Sequence, residues 1–389
     1  MQHSDSRILT THAGSLPRPK SLVELQLRLS RGEAVDPAAL AAAEEQAVRR
    51  AVASQLECGI DIGNDGEQPR ESFVTYVRHR MSGFGGESRR PPVKDMVAYP
   101  TFRELAHSHS RVNLLAAPPR AIGEVRYVDR GPLEKEFAAY RRILAEQPAR
   151  FAESFWTAPS PGIVASAMQN DYYGSLADYM RAVADALRTE YEAIAAQDMV
   201  LQIDGPDLAM ERHRLFADRP LAEFLEFVDL TVAAINRALT NVPRDRVRLH
   251  VCWGNYEGPH VFDVPLDDLL PHLYRARVGG LVLSMANPRH AHEYRSLIRN
   301  PLPQDWVLIA GVIDTTTNYV EHAEVVADRI ELAARAVGDP HRVLAGTDCG
   351  FDTSAGFGQV AEELVWEKLR ALRDGAALAT RRIFASSTG

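Results

Sequence analysis

Short apolar runs rich in β-branched residues alternate along this chain with longer stretches of helical period, and nearly every run ends in a cluster of Asp, Asn, His, Cys, Ser or Gly. Such alternation predicts a parallel sheet, because parallel strands must be joined by long crossovers. The runs end at Gly14 and Ser15, at 61–65, 122–125 and 157–160, at Asp204, at Cys252, at Ser284, at 312–314, and at Asp348 and Cys349. Between them, residues 176–196 carry apolar side chains at Leu176, Tyr179, Met180, Val183, Leu187, Tyr191 and Ile194, one face of a helix. Residues 221–239, 323–337 and 360–372 read the same way. Closed on itself, the sheet is an α/β fold of the (βα)8 TIM-barrel type; left open, it is a doubly wound sheet. Polar clusters at the ends of all the runs favour the barrel, which builds its site from every strand end. An open sheet gathers such residues at one switch point. Nine runs compete for eight barrel places, and 122–125 fits worst. Residues 82–111 are rich in Gly, Pro and Arg without a clear period. They predict an excursion, with a hairpin as one form, from a single barrel domain spanning 1–389.

Charge and cysteine content narrow the function classes. A net charge of -8 over 389 residues disfavours nucleic acid and anionic membrane as partners. No run approaches the roughly 20 apolar residues of a membrane span. The first seven residues, Met-Gln-His-Ser-Asp-Ser-Arg, contain no apolar signal core, so the expectation is a cytoplasmic protein. Three widely separated cysteines do not resemble a disulfide framework. Cys58 falls on a helical pattern and reads as core.

The other two cysteines carry more information. One run reads Val247-Arg248-Leu249-His250-Val251-Cys252-Trp253-Gly254-Asn255, and another ends Gly346-Thr347-Asp348-Cys349-Gly350. Side chains alternate faces along a strand, so His250 and Cys252 point the same way. With Cys349 from a second strand end they can supply three ligands to one zinc ion, and three protein ligands with an open position is the catalytic pattern. The alternative is a pair of buried, inert cysteines.

These segments resemble the cobalamin-independent methionine synthases, and more closely the single-barrel relatives of their C-terminal catalytic domain. The likeness runs through Thr10-Thr11-His12-Ala13-Gly14-Ser15, Asn64-Asp65-Gly66-Glu67, Thr157-Ala158-Pro159-Ser160, Gln202-Ile203-Asp204, His250-Val251-Cys252, Ala286-Asn287-Pro288, Val312-Ile313-Asp314 and Asp348-Cys349-Gly350. The resemblance implies a barrel of the methionine-synthase C-terminal and uroporphyrinogen-decarboxylase type. It also implies a Zn2+ ion at the barrel mouth, where a substrate thiol becomes a thiolate and accepts a methyl or alkyl group. His250, Cys252 and Cys349 match the family's ligands, whereas the fourth ligand, a Glu, is replaced by Ser284. Asp348 and Glu257 are the candidate carboxylates to swing in and replace it.

The same resemblance gives Gly14 and Ser15 to the substrate's carboxylate and Glu67 and Asp204 to its amino group. Trp253, Asn255 and Asn287 are further candidates for the substrate pocket, and Arg289 for an anion. Tyr172 stands near the position of a folate-stacking Trp that the chain lacks. Beyond the metal, Asp314 and Asp348 are the only acid–base candidates. The implied function is a zinc-dependent thiol alkyltransferase acting on a small-molecule thiol and an alkyl donor, with homo-oligomerisation open. Two alternatives stay beside it. One is a zinc-dependent epoxide:thiol transferase. The other is a metal-free homologue that binds a small molecule, or a different barrel enzyme using Asp204, Asp314 and Asp348.

Overall fold

A computed structural model describes residues 1–109 and 115–384. Its strands are β1 Ile62–Gly63, β2 Phe84–Gly85, β3 Arg120–Ala121, β4 Glu153–Pro159, β5 Val200–Asp204, β6 Val247–Val251, β7 Gly280–Leu283, β8 Val307–Ile313 and β9 Val343–Thr347. Seven form one parallel sheet in the order β1-β4-β5-β6-β7-β8-β9. The N-terminal segment closes it. The Ala345 N–H donates to Leu9 O and the Thr11 N–H to Ala345 O, both at 2.9 Å, while the Ile62 N–H donates to Thr10 O at 3.0 Å. Thr10 and Thr11 thus bridge β9 and β1 in parallel fashion, supplying the eighth element of a (βα)8 barrel.

The ninth predicted run is not a barrel strand. Residues 122–125 follow β3, which pairs antiparallel with β2 outside the barrel. The excursion also carries helices Lys94–Ala98 and Pro100–His109; positions 110 and 111 of the predicted span lie outside the described residues. Asp95 anchors it, accepting from the Tyr256 hydroxyl at 2.6 Å and from the His260 N–H at 2.8 Å. Both donors sit on the loop after β6, so the excursion rests on the strand ends that carry polar residues.

The outer helices follow from local chemistry. Leu176–Ala195 begins at Ser175, whose hydroxyl accepts from the Asp178 N–H, and its apolar stripe faces the sheet. Ala323–Val337 stops at Gly338, whose φ of 77° a residue with a Cβ adopts only under strain. Cys58 ends helix Pro37–Cys58 and is buried. Among the described residues, no helix is long and apolar enough to cross a membrane.

Polar residues continue from the barrel mouth into its interior. Arg248 on β6 is 1% exposed, two residues before His250 on the same face. Its Nε donates to Gln202 Oε1 on β5 at 2.8 Å, its Nη2 to His12 O at 3.1 Å and its Nη1 to Thr11 Oγ1 at 3.3 Å. The guanidinium lies 3.9 Å from the centre of the Phe155 ring. Burial lowers its pKa to about 9, which still leaves it charged at neutral pH. Arg248→Ala removes these bonds and leaves a void. We expect a loss of about 3 kcal/mol in unfolding free energy by denaturant titration, as for other large-to-small core changes. A loss below about 1 kcal/mol would show that the network is dispensable.

Candidate metal centre and substrate cavity

Three strand ends bring the soft ligands together. His250 is inward on β6, Cys252 is the next inward residue beyond it, and Cys349 lies two residues past the end of β9. All three are buried, and their ligand atoms lie within 4.8 Å of one another. Cys252 Sγ and Cys349 Sγ are 4.0 Å apart, too far for a disulfide. Two sulfurs at about 2.3 Å from a tetrahedral zinc stand about 3.8 Å apart, so the donor set fits such an ion.

The electrostatics are those of a preformed ligand set. Contact with Cys349 and His250 holds the Cys252 thiol well below its ordinary range, against burial. The same contact, with burial, pushes Cys349 up. Burial works against a charged His250, but hydrogen bonds to Asp204 and Cys252 outweigh it and raise the imidazole to about 10. These directions favour a charged imidazole beside a Cys252 thiolate, and a bound metal would displace the imidazole proton. Asp204 Oδ1 lies 3.0 Å from His250 Nδ1 and accepts from Gln202 Nε2 at 2.7 Å. With Nδ1 turned to the carboxylate, Nε2, 3.3 Å from Asp348 O, is the nitrogen that faces the cysteines and would ligate.

The triad lines a cavity of about 390 Å3 together with Ser15, Glu67, Asp204 and Asn255. Glu67 is buried, and its Oε2 has no hydrogen-bond partner. Its φ of 57° is uncommon for a residue with a side chain, and such backbone tends to mark functional positions. Gly14 explains how the carboxylate fits. A Cβ there would lie 2.3 Å from Glu67 Oε1, so only glycine lets backbone and carboxylate approach. Ser15 Oγ accepts from the Asp352 N–H at 3.4 Å.

The other predicted residues lie elsewhere. Ser284, Trp253, Asn287, Asp314 and Asp348 line a separate cavity of about 20 Å3, which touches Cys349 and Asn255. The Ser284 hydroxyl donates to Asp348 O at 2.7 Å. Asp348 Oδ1 accepts from the Met285 and Ala286 N–H groups and Oδ2 from the Asn287 N–H, all within 2.9 Å, so this carboxylate holds the loop after β7. Asp314 Oδ1 accepts from the N–H and hydroxyl groups of Thr316 and Thr317. Asn287 Oδ1 accepts from the Arg289 N–H, and Arg289 Nε donates to His260 O. Trp253 stacks on His290, the ring centres 3.8 Å apart. Glu257 is exposed, and Tyr172 is 55% exposed.

One cluster escaped sequence reasoning. Asp263 accepts hydrogen bonds from three imidazoles: His213 Nδ1 at 2.6 Å on Oδ1, and His260 Nδ1 and His290 Nε2, each at 2.8 Å, on Oδ2. It ties together the loops after β5, β6 and β7. The three histidines are 47 and 30 positions apart along the chain, so no local spacing marks them.

These features define a class: a βα barrel with a nitrogen–sulfur donor set in a cavity at the C-terminal strand ends. A family model described as the catalytic domain of cobalamin-independent synthase matches residues 8–376, and the chain belongs to that family. It is therefore an enzyme, a transferase of methyl or alkyl groups to sulfur. Relatives include the methionine synthase of Sulfolobus acidocaldarius, 25% identical over 344 residues, 88% of this chain and 85% of that protein. The methionine synthase of Saccharolobus solfataricus is 24% identical over 371 residues, 94% of this chain and 93% of that one. Among solved structures, a B12-independent methionine synthase from Shewanella sp. W3-18-1 in complex with selenomethionine shares the fold. Its TM-score is 0.73 at 22% identity, covering 97% of this chain and 99% of that one.

The Asp263 cluster generates a prediction. The hydrogen bonds from the three imidazoles outweigh burial and hold its carboxyl far below the ordinary range. Burial opposes a charged His290, but Asp263 and Glu293 outweigh it and raise that imidazole. Asp263 contributes fully above about pH 3.9, its unfolded value, and its contribution is lost as pH falls through the depressed folded value. His290 contributes fully below about pH 6.5, and that part is lost as pH rises through the raised value. Asp263→Asn should therefore destabilise by about 3 kcal/mol, most strongly between about pH 4 and 6.5. Unfolding titrations from pH 4 to 9 would contradict this by showing the same small difference throughout.

Proposed function

We propose that this chain is a zinc-dependent alkyltransferase in which His250, Cys252 and Cys349 hold the metal and a small thiol is the acceptor. The observation that carries the reading is the convergence of those three buried ligands on a cavity lined by Glu67 and Asp204, in a chain of the cobalamin-independent synthase family. Zinc bound there would stabilise the substrate thiol as thiolate, the nucleophile of the transfer. Ser284 stands where the resemblance expects a carboxylate, and its hydroxyl is engaged by Asp348 O, so the protein supplies three ligands and leaves one position for the thiol. We read residues 1–389 as one barrel domain acting on small molecules.

The chain's own residues orient the acceptor. Asp204 fixes the His250 ring. Glu67 faces the cavity as the partner for an ammonium group, and the loop at Gly14 and Ser15 lies beside it for a carboxylate. The archaeal relatives are named methionine synthases, which makes homocysteine the first acceptor to test. Replacement of the Glu ligand by Ser284 also favours a second reading, thiol addition to an epoxide, because a less negative donor set is more electrophilic. Following loss of thiol with methyl donors or with epoxides separates the two.

Elemental analysis should find about one zinc per chain, as three ligands predict. Cys252→Ser should lose the metal and turnover together. Asp204→Asn should keep the fold and weaken zinc affinity by about 10–100-fold, the usual effect of removing the carboxylate behind a ligating histidine. Retention of zinc and rate by Cys252→Ser would sink the assignment.

A pH dependence follows from Glu67. Burial, with the nearby Asp204, pushes its carboxyl up to about 7. It is mostly neutral below that pH and ionised above it. Homocysteine affinity should therefore rise about tenfold between pH 6 and 8, as the carboxylate becomes available to the ammonium group. The analogue without the amino group shares the same thiol and controls for metal effects. Parallel pH profiles for both thiols would remove Glu67 from this role.

A further inference from the structure

Two arginines on the wall of the main cavity have no role in holding the metal or the acceptor. Arg90 comes from the excursion and Arg214 from the loop after β5, and both line the cavity that contains the triad. Arg214 donates through Nε to Pro91 O at 2.8 Å, and among the described residues it pairs with no carboxylate. Arg90 forms an ion pair with the fully buried Glu211, while its own buried Nε has no partner. Burial lowers both guanidiniums below their ordinary range, and Arg214 adds repulsion on Arg90. The buried Asp207 also faces Arg90, but burial raises its carboxyl to about 7. Two cations therefore meet one ion-paired carboxylate and one that is only partly ionised at neutral pH, which leaves positive charge in a confined, partly apolar space. A desolvated charge without a counter-ion is costly, and a bound anion would relieve that cost.

The same cavity has an apolar lining that includes Val93 and Met96 from the excursion, Met210 from the loop after β5, and Phe73 and Phe357. The acids that suit an acceptor's ammonium group, Glu67 and Asp204, come instead from the loop after β1 and the end of β5. Resting on the zinc–thiol reading above, we propose that Arg90 and Arg214 form an oxyanion subsite for the second reactant. The alkyl donor is then a compact molecule with a carboxylate, phosphate or sulfonate joined to the transferred group through a short apolar stem. The size follows from the cavity, whose roughly 390 Å3 both reactants share, at the lower end for small-molecule sites. Guanidinium suits all three oxyanions because its paired N–H groups match their geometry.

The test is calorimetric titration of the whole protein with pentanoate and pentylphosphonate, against pentan-1-ol as neutral control. The acids should bind at least about tenfold more tightly than the alcohol, and less tightly as salt rises. Arg214→Gln should abolish that preference without lowering the unfolding midpoint, since this guanidinium holds no carboxylate in place. Arg90→Gln should abolish it too, but it strands Glu211, so Arg214→Gln is the decisive variant. Equal binding of acid and alcohol, or an acid preference that survives Arg214→Gln, overturns the subsite. Repeating the titration with saturating homocysteine assigns the reactant: undiminished acid binding supports the donor, and competition overturns that assignment. Cys252→Ser keeps the two readings apart. Acid preference should persist there even if thiol binding and metal are lost, so failure of the zinc reading does not resemble failure of the subsite.

Discussion

The site depends on a charge that the barrel has to bury. Arg248 lies inside the strand ring, where an unsatisfied guanidinium would be prohibitive, and every part of it is accounted for. Its nitrogens reach Gln202, Thr11 and the His12 carbonyl, and its face covers Phe155. Gln202 passes the constraint on by donating to Asp204, and Asp204 faces the Nδ1 of His250. The chain of contacts therefore runs from the barrel interior to His250, the proposed metal ligand. It also reaches the N-terminal segment that closes the ring, so barrel closure and ligand orientation are not independent. A ligand whose tautomer is set this way needs little reorganisation when a metal arrives.

Two other carboxylates do comparable work on the loops. Asp348 takes three consecutive backbone N–H groups after β7, and Asp263 gathers imidazoles from the loops after β5, β6 and β7. Loops at a barrel mouth otherwise carry little regular hydrogen bonding. Tied in this manner, they keep Trp253 and Ser284 packed away from the main cavity and leave Asn255 at the boundary of both cavities. The same logic separates acids by task. Glu67, whose Oε2 has no partner, faces the cavity, whereas Asp314 and Asp348 are engaged by local donors.

Much of the barrel was readable because strand periodicity and strand-end polarity are local signals. The positions of His250 and Cys252 followed from alternation along one strand, and that rule also places Arg248 inward, a consequence easy to overlook because arginine is rarely buried. The run at 122–125, the worst fit of the nine, lies outside the barrel, and its sequence alone left this open because a short β-branched stretch does not reveal whether its partner is a barrel strand or a hairpin. Asn287 and Trp253 were legible as strand-end residues but not as residues facing a different cavity, since side-chain direction in a loop has no period. The Asp263 cluster and the Arg90–Arg214 pair were invisible for a related reason. Each joins segments separated by tens to more than a hundred residues, and no spacing along the chain foreshadows such a contact.

Charge is distributed unevenly around the cavity, and that asymmetry bears on how two reactants can occupy it. Glu67 and Asp204 bring acidic groups from the loop after β1 and the end of β5, while Arg90 and Arg214 bring positive charge from the excursion and the loop after β5. In a confined space of low dielectric such fields are weakly screened, and each rejects the wrong ligand as strongly as it attracts the right one. An acceptor carrying an ammonium group and a donor carrying an oxyanion would therefore sort themselves to their own walls. Transfer between sulfur and an alkyl carbon requires both reactants to be held at once with their reacting atoms aligned, and fixed charges of opposite sign in one cavity favour that alignment without a moving part. On that proposal the excursion is part of the site, because without it the cavity would keep His250, Cys252 and Cys349 and lose Arg90.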